Sequence, residues 1–176
     1  MAYEVGGDVC GCSGASMDVT FATVDAASEE AKRALRRYFE ELTRRFERSF
    51  DVDRAVNSVA AILNPPQGLF ILGSSDGSVV GCGGIHFMDE ATAELRRMWV
   101  DPALRGHGIG RKLLTYLEDL AASTGRTAMV LDTNGALVEA IGLYRSAGYE
   151  ATEPYNDNPE AHFWFRKVLG GDDAPG

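Results

Sequence analysis

The chain has 176 residues, 45% of them apolar, which suits one domain with a full hydrophobic core. Its 26 acidic and 17 basic side chains leave a net charge of −9, which argues against general nucleic-acid affinity, since that rests on neutralising phosphates. No apolar run reaches the ~18 residues a bilayer span needs, and no basic-then-apolar segment opens the chain, so a cytoplasmic protein without membrane association is expected. Cys10, Cys12 and Cys82 form neither a disulfide framework nor a set with metal-ligand spacing, so free thiols and no metal are expected.

Residues 1–17 are Gly/Ser-rich and lack periodicity, and 170–176 read as a frayed end, so both are expected to be disordered tails around a domain at 18–169. Residues 18–24 alternate as a short strand. Asp25 or Ser28 can cap the helix that follows, where Ala31, Leu35, Tyr38, Phe39, Leu42 and Phe46 recur at helical spacing. A second helix is predicted from Val52 to Leu63, stopped by Asn64-Pro65-Pro66. Leu69–Gly73 and Val79–Met88 read as strands around a Ser75-Asp76-Gly77 turn. Gly81, Gly83 and Gly84 point to a bulge or a close backbone neighbour in the second of them. Asp89-Glu90 turns the chain into a strand at 92–100, completing an antiparallel meander.

The pattern then changes. A helix at 108–124 carries Ile109, Leu113, Leu114, Leu117, Leu120 and Ala121 on one face and ends at Gly125. A strand at 127–133 follows, and this βαβ crossover makes it parallel to the strand at 92–100. A helix through Leu137, Ala140, Ile141, Tyr144 and Ala147 closes at Gly148, and a last hairpin covers 149–153 and 161–168. The predicted fold is α/β, a mixed sheet with helices on both faces.

The segment Arg105-Gly106-His107-Gly108-Ile109-Gly110-Arg111 joins a strand to a helix start. Backbone N–H groups and the helix dipole favour an anion there, and glycines allow close approach. A P-loop would need Lys-Ser/Thr after the last glycine, but Arg111-Lys112-Leu113 follows Gly110. A dinucleotide fingerprint belongs in the first βα turn of its fold, whereas this turn lies mid-chain after a meander. The turn suits a pyrophosphate, although a ligand-free tight turn accounts for the glycines alone.

Three blocks carry a family resemblance: Glu94-Leu95-Arg96-Arg97-Met98-Trp99-Val100-x-Pro102, then Arg105 through Arg111, then Leu143-Tyr144-Arg145-Ser146-Ala147-Gly148-Tyr149. Together they resemble the GNAT superfamily of acyl-CoA-dependent N-acyltransferases over about residues 18–169. The closing Pro154-Tyr155-Asn156-Asp157-Asn158-Pro159 and His162-Phe163-Trp164-Phe165 are similar to a bacterial subgroup, some of whose members are fused to MarR-type DNA-binding domains; a stand-alone member is expected here. The resemblance implies a mostly antiparallel twisted sheet whose parallel central strands, 92–100 and 127–133, splay apart around the cofactor. It implies acetyl-CoA as cosubstrate, held by Met98, Trp99 and Val100, by Arg105, Gly106, His107, Gly108, Ile109, Gly110 and Arg111 around the pyrophosphate, by Asn134 on the cofactor arm, and by Tyr144 near the sulfur. A homodimer is compatible with the family.

N-acyl transfer needs a neutral amine, and an alkyl amine of pKa ~10.4 is neutral in roughly one molecule in 10³ at pH 7, so a base must take its proton. Glu94 is the first candidate, since it holds the place where a histone-acetyltransferase branch carries its base; an ion pair with Arg96, on the same strand face, is the competing role. Tyr144 is the candidate acid for the leaving thiolate, or else a core residue of its helix stripe. Glu40 and Glu41 either line the acceptor site or, more simply, face solvent. His107 touches phosphate or solvent, His86 reads as structural, and His162 as sheet packing rather than an acceptor contact. Asp132 orients a substrate or caps the next helix. Cys82 has nothing nearby in sequence to lower its pKa, so a covalent route through it is not expected. The expected activity is acetyl transfer to a primary amine in a ternary complex, the acceptor being a small cationic amine or a protein amine. The alternative is a non-catalytic acyl-CoA sensor.

Overall fold

A computed structural model describes residues 17–49 and 51–170. The tails expected at 1–17 and 170–176, apart from Met17 and Gly170, lie outside the described residues, as do Cys10 and Cys12. The elements are β1 (Thr20–Val24), α1 (Glu29–Arg45), α2 (Val52–Val59), β2 (Gly68–Ser75), β3 (Ser78–Phe87), β4 (Thr92–Val100), α3 (Ile109–Ser123), β5 (Ala128–Thr133), α4 (Val138–Ser146), β6 (Glu150–Ala151) and β7 (Phe163–Val168). They build a seven-stranded sheet of order β1-β2-β3-β4-β5-β7-β6. Every neighbouring pair is antiparallel except β4–β5, which the crossover through α3 makes parallel as predicted.

Local chemistry sets the helix ends. Ser28 caps α1, its Oγ accepting from the Ala31 N–H at 3.2 Å, with Glu29 and Glu30 in the first turn and Arg44 and Arg45 in the last to complement the dipole. The second helix is shorter than the predicted 52–63: α2 ends at Val59, and the Ile62 and Leu63 N–H groups both turn back to the Val59 carbonyl. Pro65 fits the stop, because it disfavours helical backbone at Asn64, and residues 60–67 run through successive turns and bends instead. Leu63 is fully buried all the same, against the bare backbone of Gly84.

The core lies on both faces of the sheet. On one, Ala34, Leu35, Phe39 and Leu42 of α1 and Val56 and Val59 of α2 cover Phe70, Leu72, Cys82 and Trp99. On the other, Ile109, Leu113, Leu114, Leu117 and Ala121 of α3 cover Ile71, Val80, Ile85, Ala93, Leu95 and Met129. A Cβ on Gly83 would meet Leu117 Cδ1 at 2.7 Å, so the glycine run in β3 is the groove that seats α3 on one side and Leu63 on the other.

Two departures from regular pairing create the site. First, β4 and β5 pair only through Thr92–Glu94 against Ala128–Val130, and beyond Glu94 the strands part. Second, the β3–β4 register shifts between Cys82, opposite Trp99, and Gly84, opposite Arg96, so Gly83 faces both Arg97 and Met98. This bulge exchanges the faces of β4. Ala93 and Leu95 before it join the α3-side core, whereas Trp99 after it joins the α1-side core. Arg97, at the bulge, takes φ +56°.

Candidate active site

Two cavities meet in the wedge between β4 and β5. The first, of about 370 Å³, is walled by the C-terminal end of β4, the turn into α3, and the facing sides of α1 and α4. The second, of about 570 Å³, runs along β4 toward Glu94, with Asp132, Thr133, Asn134, Asn156, Asn158 and Glu160 on its far wall. Tyr38, Leu42, Met98, Leu137, Ala140 and Tyr144 line both, so they form the junction.

The first cavity carries the anion-binding features expected of the glycine turn. Gly108 caps α3 with φ +77°, a left-handed conformation that suits glycine, and no side chain caps the helix. The N–H groups of the first turn of α3 therefore lack partners from the helix itself. Gly106, Gly108, Ile109, Gly110 and Arg111 line the cavity around them. Arg111 is anchored to Ser146 at the end of α4, through the serine hydroxyl and, at 3.3 Å, through its carbonyl. Met98, Trp99, Val100, Arg105 and Tyr144 also line this cavity. His107 does not; it is exposed, with Nδ1 at 3.2 Å from the Leu104 carbonyl.

Arg105 and Glu41 depart from the sequence reading. The Arg105 guanidinium points back into the protein, donating to Glu41 Oε2 at 2.7 Å and to the Val100 carbonyl at 3.0 Å, so it ties the turn to α1 and β4. Glu41 is not a solvated helix position: it is 7% exposed and also accepts from Trp99 Nε1 at 2.8 Å. Burial raises its pKa, but the Arg105 and Trp99 hydrogen bonds outweigh that and lower it below the usual carboxylate range. Arg45 extends the network across the cavity, from Glu41 at 2.9 Å to both oxygens of Glu139 on α4 at 2.9 and 3.1 Å. Glu40, the next residue along α1, stays exposed.

Glu94 lies in the second cavity and is 4% exposed. Its Oε2 accepts from Arg96 at 3.1 Å and lies 3.2 Å from His86 Nδ1, while Oε1 accepts from the Tyr155 hydroxyl at 3.2 Å. The expected Arg96 pair is therefore present, and His86 is a hydrogen-bond partner of Glu94 as well as a strand residue. Burial, then the Glu94 charge, pushes the Tyr155 phenol far up, so it remains a donor. Tyr144 is 7% exposed, its hydroxyl 4.0 Å from Met98 Sδ, and burial raises its phenol as well.

Asp132 does not cap α4. Its two oxygens accept from the amides of Asn156 at 2.6 Å and Asn158 at 2.9 Å, and Trp164 Nε1 donates to Asn156 Oδ1 at 2.9 Å. These bonds fold the loop between β6 and β7 over the site. Asn134 faces this second cavity rather than the first, with its Nδ2 held by the Glu160 carbonyl at 2.8 Å. His162 accepts from the Gly135 N–H at 3.1 Å, which is a packing role. The Cys82 thiol is fully buried and pushed up to about 12 by burial, so it is no nucleophile.

Tyr38, Arg97 and Tyr155 escaped the sequence reading as site residues. Tyr38 looks like any member of the α1 stripe, Arg97 like any charged strand residue, and Tyr155 sits in a loop whose closure is tertiary. Only the Asn-rich run around Tyr155 carried a signal.

The chain is similar to known proteins on this same ground. It is 38% identical over 94 residues to an IAA acetyltransferase of Azospirillum brasilense, covering 53% of this chain and 61% of that protein. A GNAT-family acetyltransferase structure from Staphylococcus aureus superposes with a TM-score of 0.74 at 18% identity, covering 86% of this chain and 99% of that one. A GNAT-family acetyltransferase of Elizabethkingia anophelis with acetyl-CoA bound superposes at 0.63 and 16% identity, covering 86% and 98%. The chain spans about three fifths of the length of the first curated relatives it matches. Residues 27–149, which hold the glycine turn, the splayed strands and α4, match the acetyltransferase (GNAT) family, and the chain belongs to it.

Proposed function

We propose that the protein transfers an acetyl group from acetyl-CoA to a primary amine by direct attack in a ternary complex. The observation that carries this is the junction of two cavities at Tyr144, one ending on the free N–H groups of α3 and the other on Glu94. The first cavity suits the cosubstrate. Past Glu94 the β5-facing edge of β4 has no strand partner, so an extended pantetheine arm has Met98 backbone groups to pair with, while the Val100 carbonyl is taken by Arg105. The pyrophosphate fits the N-terminus of α3. Bound there, acetyl-CoA supplies an activated acyl carbon at the junction.

The residues around the junction divide the work. A carboxylate offers about four lone-pair sites, and His86, Arg96 and Tyr155 occupy three of those on Glu94. The remaining site receives the amine proton, directly or through one water. The bulge at Arg97–Met98 turns backbone out of the β3–β4 ladder, and N–H groups there stabilise charge developing on the acyl oxygen. Tyr144, at the junction of the two cavities, hydrogen-bonds the departing sulfur and passes it a proton that is replaced from solvent, against the rise in its pKa that burial causes. The test is release of free CoA from acetyl-CoA with a panel of primary amines. Amine-dependent release, with double-reciprocal lines that intersect, is expected. Release at the background rate with every amine would overturn the reading in favour of an acyl-CoA sensor.

A further inference from the structure

Five charged side chains line the second cavity: Glu94, Arg96, Arg97, Asp132 and Glu160. Four are answered within the protein. Glu94 and Arg96 pair at 3.1 Å, Asp132 is held by two asparagine amides, and Glu160 pairs with Arg48. Arg97 is the exception. Its Nε is buried without a hydrogen-bond partner, and no carboxylate of the described residues forms an ion pair with it. Its guanidinium instead lies 5.2 Å from the centroid of the Phe39 ring.

The backbone explains why it is there. Strict alternation along β4 would send residue 97 to the side of Ala93 and Leu95, beneath α3. The bulge, with Arg97 at φ +56°, a conformation unfavourable for any residue with a Cβ, brings the guanidinium to the α1 side, where the cavity is. Asp132, though without a cation, has both oxygens occupied by asparagine donors, whereas the Arg97 fork has no acceptor among the described residues. A partly desolvated cation with open donors favours an anion, and the planar fork of arginine matches a carboxylate. The ring of Phe39 fixes the fork without satisfying its N–H groups.

We infer that the acceptor is a primary amine that also bears a carboxylate, an amino acid in chemical class, with the carboxylate on Arg97 and the amine toward Glu94. As an acceptor assignment this rests on the acetyl-transfer reading above. A diamine or polyamine fits worse, because its second ammonium would meet either Arg97 or Asp132, whose two oxygens already accept from Asn156 and Asn158. At the other end the one open acceptor site of Glu94 receives an N–H of the amine, so each end of the amino acid meets a complementary group.

The experiment is calorimetric titration of the protein–CoA complex with the proteinogenic amino acids, their methyl esters and the diamine putrescine. At least one amino acid should bind, with its ester roughly 10- to 100-fold weaker, the range for a hydrogen-bonded charge. Arg97→Met, which keeps an apolar stem on Phe39, should bring the acid down to the affinity of the ester and leave CoA affinity within about twofold. Arg97→Lys should recover part of the preference, having the charge without the fork. Equal binding of acid and ester, tighter binding of putrescine, no amino-acid binding, or a preference that survives in Arg97→Met would overturn the inference. CoA release separates the two readings. Acetylation of putrescine but of no amino acid keeps acetyl transfer and removes the role of Arg97. Arg97-dependent amino-acid binding without release of CoA keeps the carboxylate site and removes transfer.

Discussion

At the scale of single residues, Glu94 and Tyr144 show how a role in sequence becomes a role in space. The competing readings of Glu94, base or partner of Arg96, are not exclusive, because one carboxylate has room for both. Glu94→Gln keeps the shape and removes the base, so kcat should fall by roughly 10²-fold or more while KM for acetyl-CoA holds, as steady-state kinetics at saturating amine would show. An unchanged kcat would hand the proton to water alone. Tyr144→Phe should likewise lower kcat more than acetyl-CoA affinity, and unchanged turnover would remove the phenol from the mechanism. Burial raises the Tyr144 pKa, so the phenol stays protonated throughout the usual assay range. The pH–rate profile below pH 10 should therefore carry no limb that disappears in Tyr144→Phe. These two residues were legible because they sit in ordered motifs. Tyr155 was not, because it reaches Glu94 across 61 positions of sequence through a loop that only Asp132 and the asparagines close.

At the scale of elements, the helices and strands were readable from periodicity and punctuation, and the irregularities between them were not. The stripes of α1 and α3, the turn at Asp76-Gly77, and the parallel β4–β5 pair follow from spacing and the crossover rule. The glycines of β3 announced the register shift against β2, where Val80 beside Gly81 is the extra residue, but the bulge that shapes the site belongs to β4, where Arg97 and Met98 carry no turn signal. Contacts between elements are a further layer, and the Arg45 bridge from α1 to α4 is one of them. Two hydrogen bonds from Arg45 hold the Glu139 carboxyl well below its ordinary 4.5, at about 2. A depressed carboxylate contributes stability above its unfolded pKa and loses it as pH falls through its folded one. The bridge should therefore stabilise the fold at pH 6 and fade between about pH 4.5 and 2. Glu139 is 64% exposed, so the effect belongs in the ~0.2–1 kcal/mol range of solvent-screened pairs. Urea unfolding of wild type and Glu139→Gln at pH 6 and pH 3 checks it: the gap between them should narrow at pH 3, and a constant gap would mean that the bridge does not bear on stability.

At the scale of the whole molecule, the sheet is held from both faces at one end and left open at the other. The α3 stripe closes the paired end around Met129 and Leu131, while the splay leaves β4 beyond Glu94 without its parallel neighbour. A cosubstrate that lies in that opening bridges β4, α3 and α4, elements joined there by contacts such as that of Arg111 with Ser146. Acetyl-CoA should accordingly act as a structural part. At 100 times its Kd, a ligand bound only by the native state adds ~2.7 kcal/mol. At ~2–4 °C per kcal/mol for a chain of this size, the midpoint should rise by roughly 5–11 °C. Two variants separate binding from folding. Leu117→Ala removes a fully buried side chain between α3 and the sheet and should cost ~2–5 kcal/mol, yet keep the ligand-induced rise, because the phosphate turn is untouched. Gly108→Ala places a Cβ on a backbone at φ +77°, where open space means that only the conformation is penalised, by ~1–2 kcal/mol. Relieving that strain would rotate the first N–H groups of α3 away from the phosphates, so this milder variant should lose most of the rise. Differential scanning calorimetry with and without acetyl-CoA reads both effects. If Gly108→Ala keeps the full rise while Leu117→Ala loses it, the anion site is not at the start of α3.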